Sequence, residues 1–186
     1  MKLRVENDGI DHINVYSKGK TELGRFLSNF AYSPIKIEDG NFNSIEGYWY
    51  WLSCKDEKLR NLYGYYAKQY GRSVGGLDWQ DSEEFKNKIC KAIDIKINNN
   101  PSKLQELNNL KIPLVHYYNY GGRIIEPKEG KWIIEHISKY IGSCVDCGAK
   151  NNSVKYIIDP YIDEIYNKKI YKNLCRDCYR ESCLDI

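Results

Sequence analysis

Long apolar runs are missing from this chain. No window in its 186 residues approaches the ~18 consecutive apolar residues that a membrane helix needs, and mean hydropathy is −0.64. The start, Met1-Lys2-Leu3-Arg4-Val5-Glu6-Asn7-Asp8, has no apolar core of a secretory signal, so no membrane partner and a cytoplasmic location are expected. A Gly-rich phosphate loop is also missing, and with it any reason to expect a redox cofactor. Arginine is scarce, 7 of 28 basic residues, whereas Ile, Asn, Lys and Tyr abound. Those residues have AT-rich codons, which points to the cytosol of a low-GC bacterium or a phage-infected host and says nothing about mechanism. Net charge is only +3, far short of a dedicated nucleic-acid binder, and there are no internal repeats or low-complexity linkers.

Apolar residues make up 42% and aromatics 13%, ample material for a core. A chain of this length forms one compact domain burying roughly 70% of its unfolded surface, or one domain with a small appendage. Residues 12–16 alternate as a first strand, and Ile35 and Ile37 face one way in a second strand ended by Asp39-Gly40. Asn43-Ser44 caps an aromatic helix running through Tyr48, Trp49, Trp51 and Leu52. A helix over 56–70 follows, with Gly71 as its stop. Asp81-Ser82-Glu83-Glu84 opens an amphipathic helix carrying Phe85, Ile89, Ala92, Ile93 and Ile97, and a short helix covers 102–109. A strand over 114–118, a Gly121-Gly122 turn and a helix over 129–141 complete the body.

Five of the seven cysteines crowd into the last 43 residues. Cys144-x-x-Cys147 and Cys175-x-x-Cys178 are two knuckles, each able to chelate through two thiolates, and together they suit a tetrahedral four-cysteine zinc site. A reducing cytosol disfavours disulfides. Four sulfurs leave no open position, so this metal folds the segment rather than catalysing. Gly148 stands where a knuckle turn often needs positive φ, and Cys183 is a spare thiol. We expect a main domain over 1–142 and a zinc-ribbon-like, four-cysteine segment over 143–186. That segment carries seven basic and seven acidic residues, which argues against DNA binding by the segment alone.

Leu27-Ser28-Asn29-Phe30-Ala31-Tyr32-Ser33-Pro34-Ile35 followed by Phe42-Asn43-Ser44-Ile45-Glu46-Gly47-Tyr48 resembles the opening of the NADAR family, the YbiA-like N-glycosidases. Ala67-Lys68-Gln69-Tyr70-Gly71-Arg72 and Asp78-Trp79 resemble two further family elements, in order, from about Gly24 to Ile141. Two departures stand out: Gly47 occupies a position where the family usually has His, and no aspartate follows the Leu114-Val115 strand. The resemblance implies a mostly helical α+β domain that hydrolyses N-glycosidic bonds of nucleotide-like molecules. ADP-ribosyl conjugates, ribosylamino intermediates and ADP-ribosylated guanine in nucleic acid are the substrate classes it brings.

Cleaving a C1′–N bond develops an oxocarbenium-like centre, so a carboxylate is needed beside the anomeric carbon. Glu46, set among aromatics, is the candidate, although its spacing also permits a capping box with Asn43. Trp79 either stacks on a base or ribose or anchors the next helix, and Asp78 serves substrate or turn. Asn29, beside Phe30, hydrogen-bonds a sugar or closes an Asx-turn, and Tyr48 belongs to the aromatic surround. Arg72, with Lys68 one turn earlier, can pair with phosphate, as can Arg123 after the Gly-Gly turn. His116 can shuttle a proton in place of the missing aspartate, or sit satisfied in the core. A catalytically degenerate nucleotide or ADP-ribose binder is the alternative to the hydrolase.

Overall fold

The computed structural model of the protein describes residues 3–144, 146–149 and 154–185. Its fold is α+β with helices dominant, and the described strands form four two-stranded sheets. Contacts divide the chain into two compact units: Met1–Asn100 with Ile112–His136, and Pro101–Lys111 with Ile137–Ile186. The expected boundary at 142 is therefore not where contacts separate the chain. No described helix is long and apolar enough to cross a membrane.

The first unit opens with β1 (Ile13–Asn14) and α1 (Glu22–Leu27), whose N-cap Thr21 accepts from the Gly24 N–H at 3.0 Å. Next comes an antiparallel hairpin of β2 (Ile35–Ile37) and β3 (Gly40–Phe42), with Ile35 opposite Phe42 in the core. Gly40 makes the turn at φ +113°, a conformation open to glycine and costly to other residues.

The central helix is α2 (Ile45–Cys54), buried on every side from Ile45 to Trp51. Its N-cap is Ser44, whose hydroxyl accepts from the Gly47 N–H at 2.9 Å and donates to the Leu62 carbonyl at 3.0 Å. Asn43 instead donates its side-chain amide to the Asn61 carbonyl. With the cap at Ser44, Gly47 takes the third helical position and Glu46 the second, so the capping box with Asn43 does not form. Gly47 also has a packing reason: a Cβ there would lie 2.5 Å from the Leu59 carbonyl oxygen, so no side chain fits.

The single helix expected over 56–70 is two elements. A 3-10 turn over Glu57–Asn61 is followed by α3 (Gly64–Ser73), and Gly64 at φ +58° begins the second. Gly71 does not stop α3 but lies inside it, where the Tyr50 ring packs on its backbone. By contrast, α4 (Glu83–Asn98) follows its pattern, capped by Ser82 and burying Phe85, Ile89, Ala92, Ile93 and Ile97.

After α5 (Pro101–Asn108), the strand expected over 114–118 also divides. β4 (Leu114–Val115) pairs in parallel with β1, and β5 (Tyr118–Tyr120) pairs antiparallel with β6 (Arg123–Ile125). The break falls at Tyr117 because the Asn14 side chain takes over there, accepting from its N–H at 3.1 Å and donating to its carbonyl at 3.2 Å. α6 (Lys131–Ser138) is shorter at both ends than the stretch 129–141.

In the second unit β7 (Lys155–Ile158) and β8 (Tyr171–Leu174) form an antiparallel pair enclosing α7 (Pro160–Tyr166), and α8 (Arg176–Leu184) closes the chain. Asn108 explains why α5 groups with this unit. Its carbonyl accepts from Gly142 N–H and the Asn173 amide, and its side chain accepts from Ser143. The core here is small, with Leu174 and three cysteines at its centre. A unit this poor in apolar material needs a staple.

Replacing Gly71 by alanine should destabilise the protein. In an ordinary helix the change gains ~1 kcal/mol. Here the new Cβ would sit 2.3 Å from the Tyr50 ring, and overpacking of this kind costs about 1–3 kcal/mol. A lowered urea midpoint is expected, and a raised one would refute the contact.

Candidate active site and metal centre

In the first unit Glu46 sits on the first turn of α2, its N–H bonded to the Asn29 carbonyl at 3.0 Å. The residue is buried, 8% exposed. It accepts no hydrogen bond from the described residues. Burial pushes its pKa up to about 7; Lys68 and Arg72 pull it down, and Asp78 raises it further. The Glu46 carboxyl thus lies in the field of two cations and a second carboxylate, with burial outweighing them.

Those neighbours arrive on α3 and on the loop after it. Arg72 grips Asp78 through Nε at 2.7 and 2.9 Å and through Nη2 at 2.7 Å. Tyr50 donates its hydroxyl to the same carboxylate. The guanidinium first, then the phenol, holds Asp78 below the usual carboxylate range. Lys68 makes no ion pair with a described residue, so it is the freer of the two cations for an anionic ligand. Two carboxylates here have pKa values driven in opposite directions.

Tyr50 and Tyr118 are the members that sequence reasoning missed. Both phenols are pushed up by burial first, with Glu46 contributing. Tyr50 was findable, because it lies four residues after Glu46 and shares its helix face. Tyr118 had no local signal. Tyr48, by contrast, is turned away: two residues from Glu46 it faces the other side of α2, 2% exposed, with its hydroxyl on Asp39 at 2.7 Å. That geometry corrects its expected place among the substrate contacts.

Asn29 and Phe30 lie half-buried on the turn before β2. Lys96, 2% exposed, donates to the Ser28 carbonyl at 2.8 Å and so secures that turn, and burial draws its pKa down to about 7. Trp79 is half-buried in an aromatic cluster, 5.9 Å from Trp49 and 6.5 Å from Trp132 between centroids. It anchors the start of the α4 region, as Trp49 in turn packs on Phe85 at 4.6 Å.

His116 lies 2.8 Å from the Val15 carbonyl through Nδ1, which must therefore carry the proton, and burial lowers its pKa. The imidazole is neutral at pH 7 with Nε2 as an acceptor. It packs edge-on to Tyr118 at 4.9 Å and lines a cavity of about 210 Å³ with Glu126, Glu129, Lys131 and Glu135. Glu46 is not part of that lining. Arg123 is exposed at the hairpin tip opposite Tyr120, whereas Tyr118 stands at the hairpin base.

The second unit holds the candidate metal centre. The sulfurs of Cys144, Cys147, Cys175 and Cys178 all lie within 4.8 Å of one another, and Cys147 Sγ is 3.6 Å from Cys175 Sγ. Zn–S bonds of about 2.3 Å in a tetrahedron require sulfurs about 3.8 Å apart, so the set fits a four-thiolate ion. The first knuckle closes through Cys144 N–H to Ala149 carbonyl at 2.8 Å and Gly148 N–H to Cys144 carbonyl at 2.9 Å, with Gly148 at φ +73° as its turn requires. The second sits on the N-terminus of α8, where the N–H of Cys178 draws the Cys175 thiol down to about 7. Cys183 is exposed and outside the cluster.

A solved structure shares this architecture: the NMR structure of the E. coli protein YbiA aligns over 74% of this chain and 90% of its own, at TM-score 0.53 and 20% identity. The fold is YbiA-like. No protein-family model matches the chain. No curated protein matches it either. The departure at Gly47 has its reason within this fold, because the 3-10 turn brings the Leu59 and Leu62 carbonyls onto that glycine. Asp78 is the acid whose charge acts on Glu46, raising its pKa.

The raised pKa of Glu46 has a thermodynamic consequence. Between the ordinary value of 4.5 and about 7 the folded state holds a proton that the unfolded chain has released. Stability contributed by the neutral carboxyl is therefore present below 4.5 and lost as pH rises through 7. Glu46→Gln should be more stable than the parent at pH 8, by up to about 3 kcal/mol, and should match it near pH 4. Urea midpoints of both proteins at the two pH values test this, and an equal difference at both would refute it.

Proposed function

We propose that the protein is a hydrolase cleaving an N-glycosidic bond of an ADP-ribosyl conjugate or related nucleotide glycoside. The observation that carries this reading is Glu46: a buried, unbonded carboxyl poised near neutrality, next to an ionised Asp78 and to Lys68, which pairs with no described acid. Environments that drive two carboxyl groups apart in pKa divide acid and charge-stabilising roles between them. Protonated Glu46 gives its proton to the leaving nitrogen as the C1′–N bond breaks, and the bond pair departs with that nitrogen. Asp78 remains negative and offsets the positive charge developing at C1′. Water then adds to C1′ and returns its proton to Glu46. Lys68, with the outer edge of Arg72, suits the phosphate end of such a substrate. Nucleic acid bearing the same glycosidic linkage falls within this substrate class.

The metal at the four cysteines is zinc in a structural role. Thiolates are the donors zinc prefers, and a closed four-cysteine set leaves no position for substrate. Its binding free energy supplies folding energy that the small core of the second unit lacks.

Release of ADP-ribose from N-linked conjugates, followed chromatographically, tests the activity. Glu46→Gln should lower the rate about 10²–10⁴-fold while leaving the fold intact. Turnover at the parental rate would refute the role of Glu46. Because Arg72 and Tyr50 occupy Asp78, a binder without turnover is the second reading, and it predicts ADP-ribose affinity with no product. For the metal, elemental analysis should find one zinc per chain, and Cys175→Ser or a strong chelator should lower the melting temperature. A metal-free protein melting identically would refute the structural role.

A further inference from the structure

Besides the metal site, the second unit holds a cavity of about 410 Å³ between α7, α8 and β8, within the roughly 300–1,000 Å³ range of ligand clefts. Its lining is electrostatically one-sided. Among the described residues, four carboxylates, Asp146, Asp159, Glu181 and Asp185, line it with one cation, Lys172. Lys172 is already engaged: its Nζ lies 2.5 Å from Asp159, which is 5% exposed and also accepts from Ser182 and the Ile162 N–H. Asp146, Glu181 and Asp185 make no ion pair with a described residue. One wall is aromatic, formed by Tyr161 and Tyr166 packed edge-to-face at 6.2 Å.

The two helices also carry exposed apolar side chains. Tyr166, in the lining, is 59% exposed, and Ile165 on α7 and Leu184 on α8 are 49% and 84% exposed. Exposed apolar side chains around a polar depression mark a surface for a polypeptide. A free polyamine would answer the charge but leave these side chains wet, and a nucleic acid would be repelled by the carboxylates. An aromatic wall with acidic neighbours matches an alkylammonium or guanidinium group, which gains from both.

We infer that the α7–α8 face is a docking site for a basic segment of a partner protein, one lysine or arginine side chain entering the cavity while flanking apolar residues cover Ile165, Tyr166 and Leu184. The site is independent of Glu46 and of the N-glycosidase reading.

The test uses the full chain, metal-loaded and isotopically labelled, titrated with a short acetylated peptide of alternating leucine and lysine. Saturable amide shifts confined to α7, α8 and β8 are expected. They should weaken several-fold as salt screens the charges. Glu181→Lys with Asp185→Lys reverses two exposed charges and should weaken binding about fivefold or more, with metal content unchanged. Tyr166→Ala gives the same readout should that double variant lose its metal. Three results would overturn the inference: no saturable shifts, equal shifts with a leucine–glutamate peptide, or equal shifts at these residues with spermidine or a thymidine oligonucleotide.

Discussion

A carboxyl group enclosed by a helix that is itself buried on all sides is the constraint to which the first unit answers. An ionised carboxylate removed from water and left without hydrogen bonds costs several kcal/mol. The structure does not relieve that cost by bonding Glu46, but brings Lys68 and Arg72 near enough to lower its pKa without neutralising it. Two glycines make the arrangement possible. Gly47 lets the 3-10 turn carbonyls close on α2, and Gly71 lets α3 rest on the Tyr50 ring. Lys68 and Arg72 flank Gly71 in sequence, so the close approach of α3 is what delivers the cations.

Much of this scaffold is legible in the residues. Ser82 with its Phe85-Ile89-Ala92-Ile93-Ile97 stripe specifies α4, because cap and period agree. The Asp39-Gly40 turn specifies the β2–β3 hairpin for a similar local reason. Local signals failed where a distant group decides. Gly71 reads as a helix stop, and only the Tyr50 ring packed on it explains a glycine within α3. The strand over 114–118 reads as continuous, and only the Asn14 side chain, 103 residues away, divides it at Tyr117. The candidate site follows the same rule: motifs name Glu46, Lys68, Arg72 and Asp78, helix spacing points to Tyr50, and only the fold puts Tyr118 within the field of Glu46. Tyr48 was misplaced because adjacency in sequence was taken for adjacency on a helix face.

The cysteine unit divides in the same way. Two C-x-x-C knuckles announce a metal site from sequence alone, and Gly148 announces the turn that closes the first. What spacing does not disclose is Asn108, whose side chain reaches Ser143 across 35 residues and whose carbonyl reaches Asn173 across 65, drawing α5 into the unit. The segment's neutral charge total hid a second property. Seven basic and seven acidic residues cancel in the sum, yet among the described residues that line the α7–α8 cavity four carboxylates stand against one lysine. Charge recognition depends on where charges lie, not on their total.

The same distinction bears on the two acids of the first unit. Glu46 and Asp78 would be equivalent carboxylates in the unfolded chain. Burial raises the one, while Arg72 and Tyr50 hold the other down. Were Arg72 to turn from Asp78 toward a phosphate, Asp78 would lose its largest stabilising contact and its pKa would rise. The Asp78 carboxylate would then act on Glu46 without the opposing pull of that guanidinium. Anionic ligand and acid strength are therefore coupled through one guanidinium. Lys68, free of any such partner among the described residues, is the cation that can meet a phosphate while leaving that division of charge intact.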